Sequence, residues 1–226
     1  MNSLIVLATS NKNKLKEMQD LLKDFPVNIK SLADFGPMPE AVEDGETFDD
    51  NAYKKAFHYA KVLGVPCLAD DSGLAVDALD GRPGVYSARY SGPEATDWSN
   101  CEKLLGEMEG KTNRSAHFVC VLSLATPGGP ALTYEGQCDG ELLEERRGES
   151  GFGYDPLFFF PELGKTFAEL SMEEKSKVSH RGKALAEFVA EFSKVQVWLR
   201  QRMEEIKPPK PDHSEFEHND WSQERM

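Results

Sequence analysis

Apolar positions in this chain fall into several spacings, and each predicts its own element. Unbroken apolar runs at residues 4–8 and 65–69 predict short buried strands, and residues 27–29 a third. Residues 12–23 carry Leu15, Met18, Leu21 and Leu22 at helical spacing, behind the cap-type residues Thr9, Ser10 and Asn11. Thr47 predicts the cap of a helix over residues 48–63, with Ala52, Ala56, Tyr59 and Ala60 on one face. Ala95-Thr96-Asp97 heads another helix, to about residue 108. Residues 115–125 and 131–137 flank Thr126-Pro127-Gly128-Gly129-Pro130, the pattern of an antiparallel hairpin with a longer loop. The aromatic run at 157–160 predicts a strand. Residues 183–203 predict one long amphipathic helix through Leu185, Phe188, Val189, Phe192, Val195 and Leu199. Mixed strands and helices with one hairpin predict an α/β fold around a mixed sheet.

The pattern stops at Lys207-Pro208-Pro209-Lys210-Pro211, which breaks the last helix. Residues 212–226 are polar without periodicity, so the chain divides into a domain over 1–206 and a tail over 207–226 of the kind that stays disordered. With 226 residues there is room for one sizeable domain or two small lobes. The balance is acidic, 26 Lys and Arg against 39 Asp and Glu, which argues against a nucleic-acid polymer as partner. No apolar run approaches the roughly 20 residues that span a bilayer. The start, from Met1 to Ala8, is too short for a signal peptide and lacks a basic leader. Cys67, Cys101, Cys120 and Cys138 form no CxxC pair, and most lie in apolar surroundings, as free thiols in a reducing cytoplasm do.

Against this acidic background, four segments could carry chemistry. The first is Ala69-Asp70-Asp71-Ser72-Gly73, two adjacent carboxylates at the end of a predicted strand. Like charges held close conflict unless a cation relieves them, and oxygen ligands at such a place suit Mg²⁺. The same residues also make a good solvated turn. The second is Thr9-Ser10-Asn11-Lys12-Asn13-Lys14, where a strand gives way to a helix start that favours anions; an ordinary N-cap has the same look. The third, Gly151-Phe152-Gly153-Tyr154-Asp155-Pro156, joins backbone freedom, two rings that could stack on a base, and a carboxylate; a turn with core aromatics reads the same. The fourth is the cationic stretch from Lys175 through Ser179, His180 and Arg181, expected at the start of the last helix. The acidic loop from Glu40 to Glu46 could add a metal carboxylate or be a solvated face.

In their order these segments, with Glu43-Asp44-Gly45, Thr47-Phe48, Asn51-Ala52 and Gly84-Val85-Tyr86-Ser87-Ala88-Arg89-Tyr90, resemble the inosine triphosphate pyrophosphatase family, also called XTP/dITP diphosphatases. The resemblance covers about residues 4–202. It implies two α/β lobes around a long mixed sheet, with a nucleotide cleft between them, in a cytoplasmic homodimer. It implies Mg²⁺-dependent hydrolysis of ITP, dITP and XTP to monophosphate and pyrophosphate. By the same resemblance Asp71 is the general base and a metal ligand, with Asp70 and Glu43 as further ligands. Thr9, Ser10, Asn11, Lys14, Lys55 and Ser72 match the triphosphate end. Phe152, Gly153, Tyr154, Asp155, Lys175, His180 and Arg181 match the base end. One position departs: family members often carry the metal-binding Glu three residues before the loop glycine, and here Val42 stands there. Glu43 takes its place in this reading, with Glu40 and Asp44 as alternatives. Two rivals are a non-hydrolysing nucleotide sensor, against which Asp70, Asp71 and Lys14 argue, and a related pyrophosphatase for modified pyrimidines. The latter should lack both base-end segments.

Overall fold

The computed structural model describes residues 3–9 and 12–206. The expected roles of Ser10 and Asn11 and the expected 207–226 tail lie outside the described residues. In chain order the elements are β1 (Ser3–Leu7), α1 (Lys12–Leu21), β2 (Val27–Ser31), α2 (Phe48–Leu63), β3 (Cys67–Val76), α3 (Asp97–Glu107), β4 (Ser115–Ala125), β5 (Ala131–Leu142), β6 (Phe158–Phe160), β7 (Lys165–Thr166), α4 (Met172–Val178), α5 (His180–Ala190) and α6 (Phe192–Ile206). One mixed sheet runs in the order β2-β1-β3-β4-β5-β6-β7. Its β2, β1 and β3 are parallel, and the other neighbours pair antiparallel.

Helices cover this sheet as two lobes. At one end α1, α5 and α6 bury Ile5, Leu68, Leu122, Leu185, Phe188 and Phe192 on one face. On the other face α2 packs Ala56, Tyr59 and Ala60 against Val6, Cys67 and Ala69. The small side chains on α2 let it lie close to the strands. At the far end Phe118, Phe158 and Phe167 gather with Leu74, Leu104 and Leu157 into a separate core. Phe118 and Phe158 have ring centroids 4.7 Å apart and Phe158 and Phe167 4.8 Å, within the range of favourable aromatic pairs.

Three elements differ from the sequence expectation, and each difference bears on the site. The strand expected at 65–69 runs on to Val76, so Asp70 and Asp71 stand inside β3 and not at its end or in a turn. β1 pairs with β3 only through Val6–Cys67 and Leu7–Leu68. Beyond Leu68, β3 keeps β4 as its neighbour, and the pair of aspartates sits just where β1 gives out. The expected helix over 183–203 is two helices, broken at Glu191. The break lets one apolar stripe serve two surfaces: α5 lies over β4 and β5, and α6 turns back to β1. Finally, α4 is a separate short helix, so Lys175 precedes the last helices. It carries no apolar periodicity; its start is fixed by a capping box in which Ser171 and Glu174 satisfy each other's backbone N–H groups.

Candidate active site

Successive side chains on a strand point to opposite faces, and at Asp70 and Asp71 this separates two environments. Asp70 turns toward α1 and α5. Lys14 Nζ donates to both of its oxygens, at 3.1 and 2.8 Å, and Arg181 Nη1 donates to Oδ2 at 2.5 Å. Arg181 Nε also lies 3.6 Å from Glu17 Oε2. Burial alone would raise the Asp70 pKa, but Arg181 and Lys14 outweigh it and hold the carboxyl well below the usual range.

Asp71 faces α2 and the acidic loop. The Ser72 backbone N–H donates to its Oδ1 at 3.0 Å, while Oδ2 is buried without a hydrogen-bond partner. Burial and the nearby Glu43 push its pKa up to about 6, against the Asn51 side chain and Lys55, which hold it down. Asn51 in turn accepts the Gly45 N–H at 2.7 Å, which ties the acidic loop to α2. Glu43 pairs with Lys55 at 3.1 Å, and the Arg89 guanidinium donates to the Glu43 carbonyl at 3.4 Å. Asp44 instead pairs at the surface with Lys54. An unsatisfied buried carboxylate oxygen with a second carboxylate beside it is a donor set that fits Mg²⁺. That ion uses one or two protein carboxylates and leaves the rest to water and phosphate. Among the described residues no group of three or more His, Cys, Asp or Glu could hold a metal unaided. Asp70, expected beside Asp71 on a metal, lies on the other face of β3 with Lys14 and Arg181 on its oxygens.

Of the expected base-end residues, Phe152, Gly153, Tyr154, Asp155, Lys175 and His180 gather in the far lobe with divided roles, whereas Arg181 lies on Asp70 beside Lys14. Phe152 is 69% exposed and offers its ring, with Lys175 Nζ 4.7 Å from the centroid. Tyr154 is only 3% exposed, and its hydroxyl donates to the Ser87 carbonyl at 2.9 Å, so it braces the loop and presents no free ring. Asp155 is buried; it accepts from the Phe152 N–H at 3.0 Å and is in direct contact with Lys175 Nζ. Burial raises its pKa and Lys175 opposes this. Gly151 has φ +80, and a Cβ there would collide with the Asp155 carboxylate. The Gly153 N–H donates to Asp97 Oδ2 at 2.7 Å, fastening the loop to the start of α3. His180 stacks on Phe118 at 4.7 Å. Burial, Lys175 and Arg181 push its pKa down to about 3, so the ring is neutral, and its buried Nδ1 has no hydrogen-bond partner. His180 and Arg181 thus adjoin in sequence but serve different clusters.

Thr9 follows β1, and its carbonyl accepts from the Leu32 N–H at 3.2 Å. Lys14 brings the same end of α1 to Asp70, and Ser72 contributes its backbone to Asp71. Asn51, Glu17, Asp97 and Arg89 take part in the geometry without having been singled out as site residues from the sequence. Asn51 and Arg89 carried a signal, since both stand in segments that bear the family resemblance, and Asp97 only that of a helix start.

The fold and the arrangement define an α/β protein built on one seven-stranded mixed sheet, with two aspartates on opposite faces of β3, two cations on one of them and an exposed aromatic ring in the far lobe. The chain belongs to the Ham1 family, which its sequence matches over residues 5–191. It is 69% identical over 222 residues to the dITP/XTP pyrophosphatase of Desulfotalea psychrophila, covering 98% of this chain and 100% of that protein. To the protein of the same name from Syntrophobacter fumaroxidans it is 58% identical, covering 89% and 87%. Among solved structures, a HAM1 protein from Coxiella burnetii matches with a TM-score of 0.82 at 43% identity, over 85% of this chain and 99% of that one. The Staphylococcus aureus Ham1 protein matches with a TM-score of 0.80 at 39% identity, over 85% and 100%.

Proposed function

We propose that this protein is a Mg²⁺-dependent nucleoside triphosphate pyrophosphatase that converts ITP, dITP and XTP to the monophosphate and pyrophosphate. The observation that carries the reading is Asp71: a carboxylate raised to about 6, with one buried oxygen lacking a partner. Glu43 and Lys55 lie beside it, and the names of the relatives agree with that chemistry. Asp71 and Glu43 would hold Mg²⁺, which when bound neutralises phosphate charge and the leaving pyrophosphate. Asp71 orients a water toward the α-phosphorus and takes its proton. The oxygen of that water bonds to the α-phosphorus, and the bond to the bridging oxygen breaks, with the electron pair leaving on pyrophosphate. Lys14 and Lys55 would meet the phosphates, together with Thr9 and Ser72; the same part expected of Ser10 and Asn11 lies outside the described residues.

Base choice follows hydrogen-bond complementarity. Hypoxanthine and xanthine present a carbonyl at position six beside a ring N–H. Donors from His180, held neutral, or from Arg181 suit the carbonyl, and Phe152 offers a stacking face beside Lys175 and Asp155. Adenine presents an amino group there and would leave buried donors unpaired, a mismatch that discriminates by ~10⁴-fold in sites built this way. A cytoplasmic homodimer belongs to the same reading, and light scattering of the purified chain tests the dimer. No described helix is long and apolar enough to cross a membrane. The test of function is product analysis with ITP, ATP and dTTP in parallel. Pyrophosphate from ITP far faster than from the others supports the reading; orthophosphate, or preference for ATP, rejects it.

A further inference from the structure

We infer that Asp70 is a positioning residue, a single anionic anchor that sets both the phosphate-end cation Lys14 and the base-end cation Arg181, and is not a ligand of the metal. The inference rests on the proposed function for the naming of those two ends. Its own footing is the geometry. Lys14 reaches Asp70 from α1, and Arg181 reaches it from the start of α5, elements far apart in sequence. Both cations meet on one carboxylate whose side chain is 16% exposed. The only other carboxylate within salt-bridge reach of Arg181 among the described residues is Glu17, which is farther off and more exposed.

Two cations brought together from separate elements repel each other, and a carboxylate between them removes that conflict. It also fixes where each donor points. A guanidinium anchored through Nη1 has its plane set, and an ammonium bound to both oxygens has its stem extended. Asp71, one residue on, lies on the opposite face of β3, so the metal side and the anchor side are divided by the strand itself. On this account the tight Asp70 interactions are not a competitor that substrate must displace. They are what keeps the two ends of the cleft in register.

The test separates the ends with partial ligands on the full-length protein. Inorganic tripolyphosphate with Mg²⁺ probes the phosphate end, inosine probes the base end, and Mn²⁺ without nucleotide probes the metal. Calorimetry reads all three. Asp70→Asn should weaken tripolyphosphate and inosine together, each on the order of tenfold, and leave Mn²⁺ affinity as in the wild type. Lys14→Ala should weaken tripolyphosphate more than inosine, and Arg181→Ala the reverse. If Asp70→Asn does not fold, Asp70→Glu keeps the charge but moves it by one methylene, and it should weaken both probes together by a smaller factor. Loss of Mn²⁺ binding in either Asp70 variant, or weakening of one probe alone, overturns the inference. The proposed function fails separately, if wild-type protein does not release pyrophosphate from ITP.

Discussion

At the level of single residues, the two aspartates owe their different properties to strand alternation. One meets Lys14 and Arg181 and stays ionised; the other meets Asn51, Glu43 and the interior and is raised to about 6. In the proposed mechanism Asp71 is the proton acceptor and its charge acts in the transition state, so Asp71→Asn should lower kcat for ITP by about 10²–10⁴-fold. Lys14→Ala should act mainly on KM, and steady-state kinetics on the two variants distinguish these effects. Turnover by Asp71→Asn equal to the wild type would remove that residue from the chemistry. His180 supplies a test of pH. Its folded pKa of about 3 lies below the unfolded value of 6.5, so below pH 6.5 the unfolded chain takes up a proton that the folded one refuses. The His180 contribution is therefore lost as pH falls from 6.5 toward 3, with a slope approaching about 1.4 kcal/mol per pH unit for one proton, while Asp71, raised to about 6 in the fold, works in the opposite sense between about pH 6 and 4. Asp70, also depressed in the fold, adds its loss mainly below about pH 4. The stability difference between wild type and His180→Gln, read by denaturant unfolding, should shift against the wild type as pH falls from 6 to 4; a difference that does not change with pH would mean that His180 is not buried neutral.

Among the elements, those with strong local patterns were legible from the sequence. The helix behind Thr47 has its predicted bounds, and Thr47 accepts the Asp50 N–H at 3.1 Å as a cap should. What the sequence could not disclose depended on distant partners. Asp70 and Asp71 look like the end of a strand, because charges rarely continue a buried one; Lys14 and Arg181, far away in the chain, make the continuation possible. Tyr154 looks like a second stacking ring until Ser87 takes its hydroxyl. The break at Glu191 has no Gly or Pro to mark it and follows from where β1 lies. The α4–α5 elbow shows the same dependence. Ser179 ends α4 and caps α5 by accepting the Gly182 N–H at 3.1 Å, and the first turn of α5 rests on Gly136 of β5. A Cβ at Gly136 would fall on the His180 carbonyl oxygen. Gly136→Ala should cost roughly 1–3 kcal/mol of stability and raise KM for ITP more than it lowers kcat. A variant with wild-type melting and kinetics would show that the elbow is not held there.

Over the whole molecule, one sheet carries a core at each end, and the proposed chemistry falls between them. The described structure ends with α6 at Ile206, whose side chain packs beside Gly128 in the β4–β5 loop. A chain ending at Ile206 should therefore keep the fold and the turnover of the full protein, whereas loss of either in that variant would assign the last twenty or so residues a working role. The arrangement as a whole claims that one cleft reads a purine edge at one lobe and splits a triphosphate at the other. The most direct measurement is kcat/KM for ITP and ATP with Mg²⁺, followed by pyrophosphate and orthophosphate release from the same reactions. The account predicts pyrophosphate as the product and a preference for ITP on the order of 10⁴. Orthophosphate as the product, or equal rates on the two nucleotides, would contradict it.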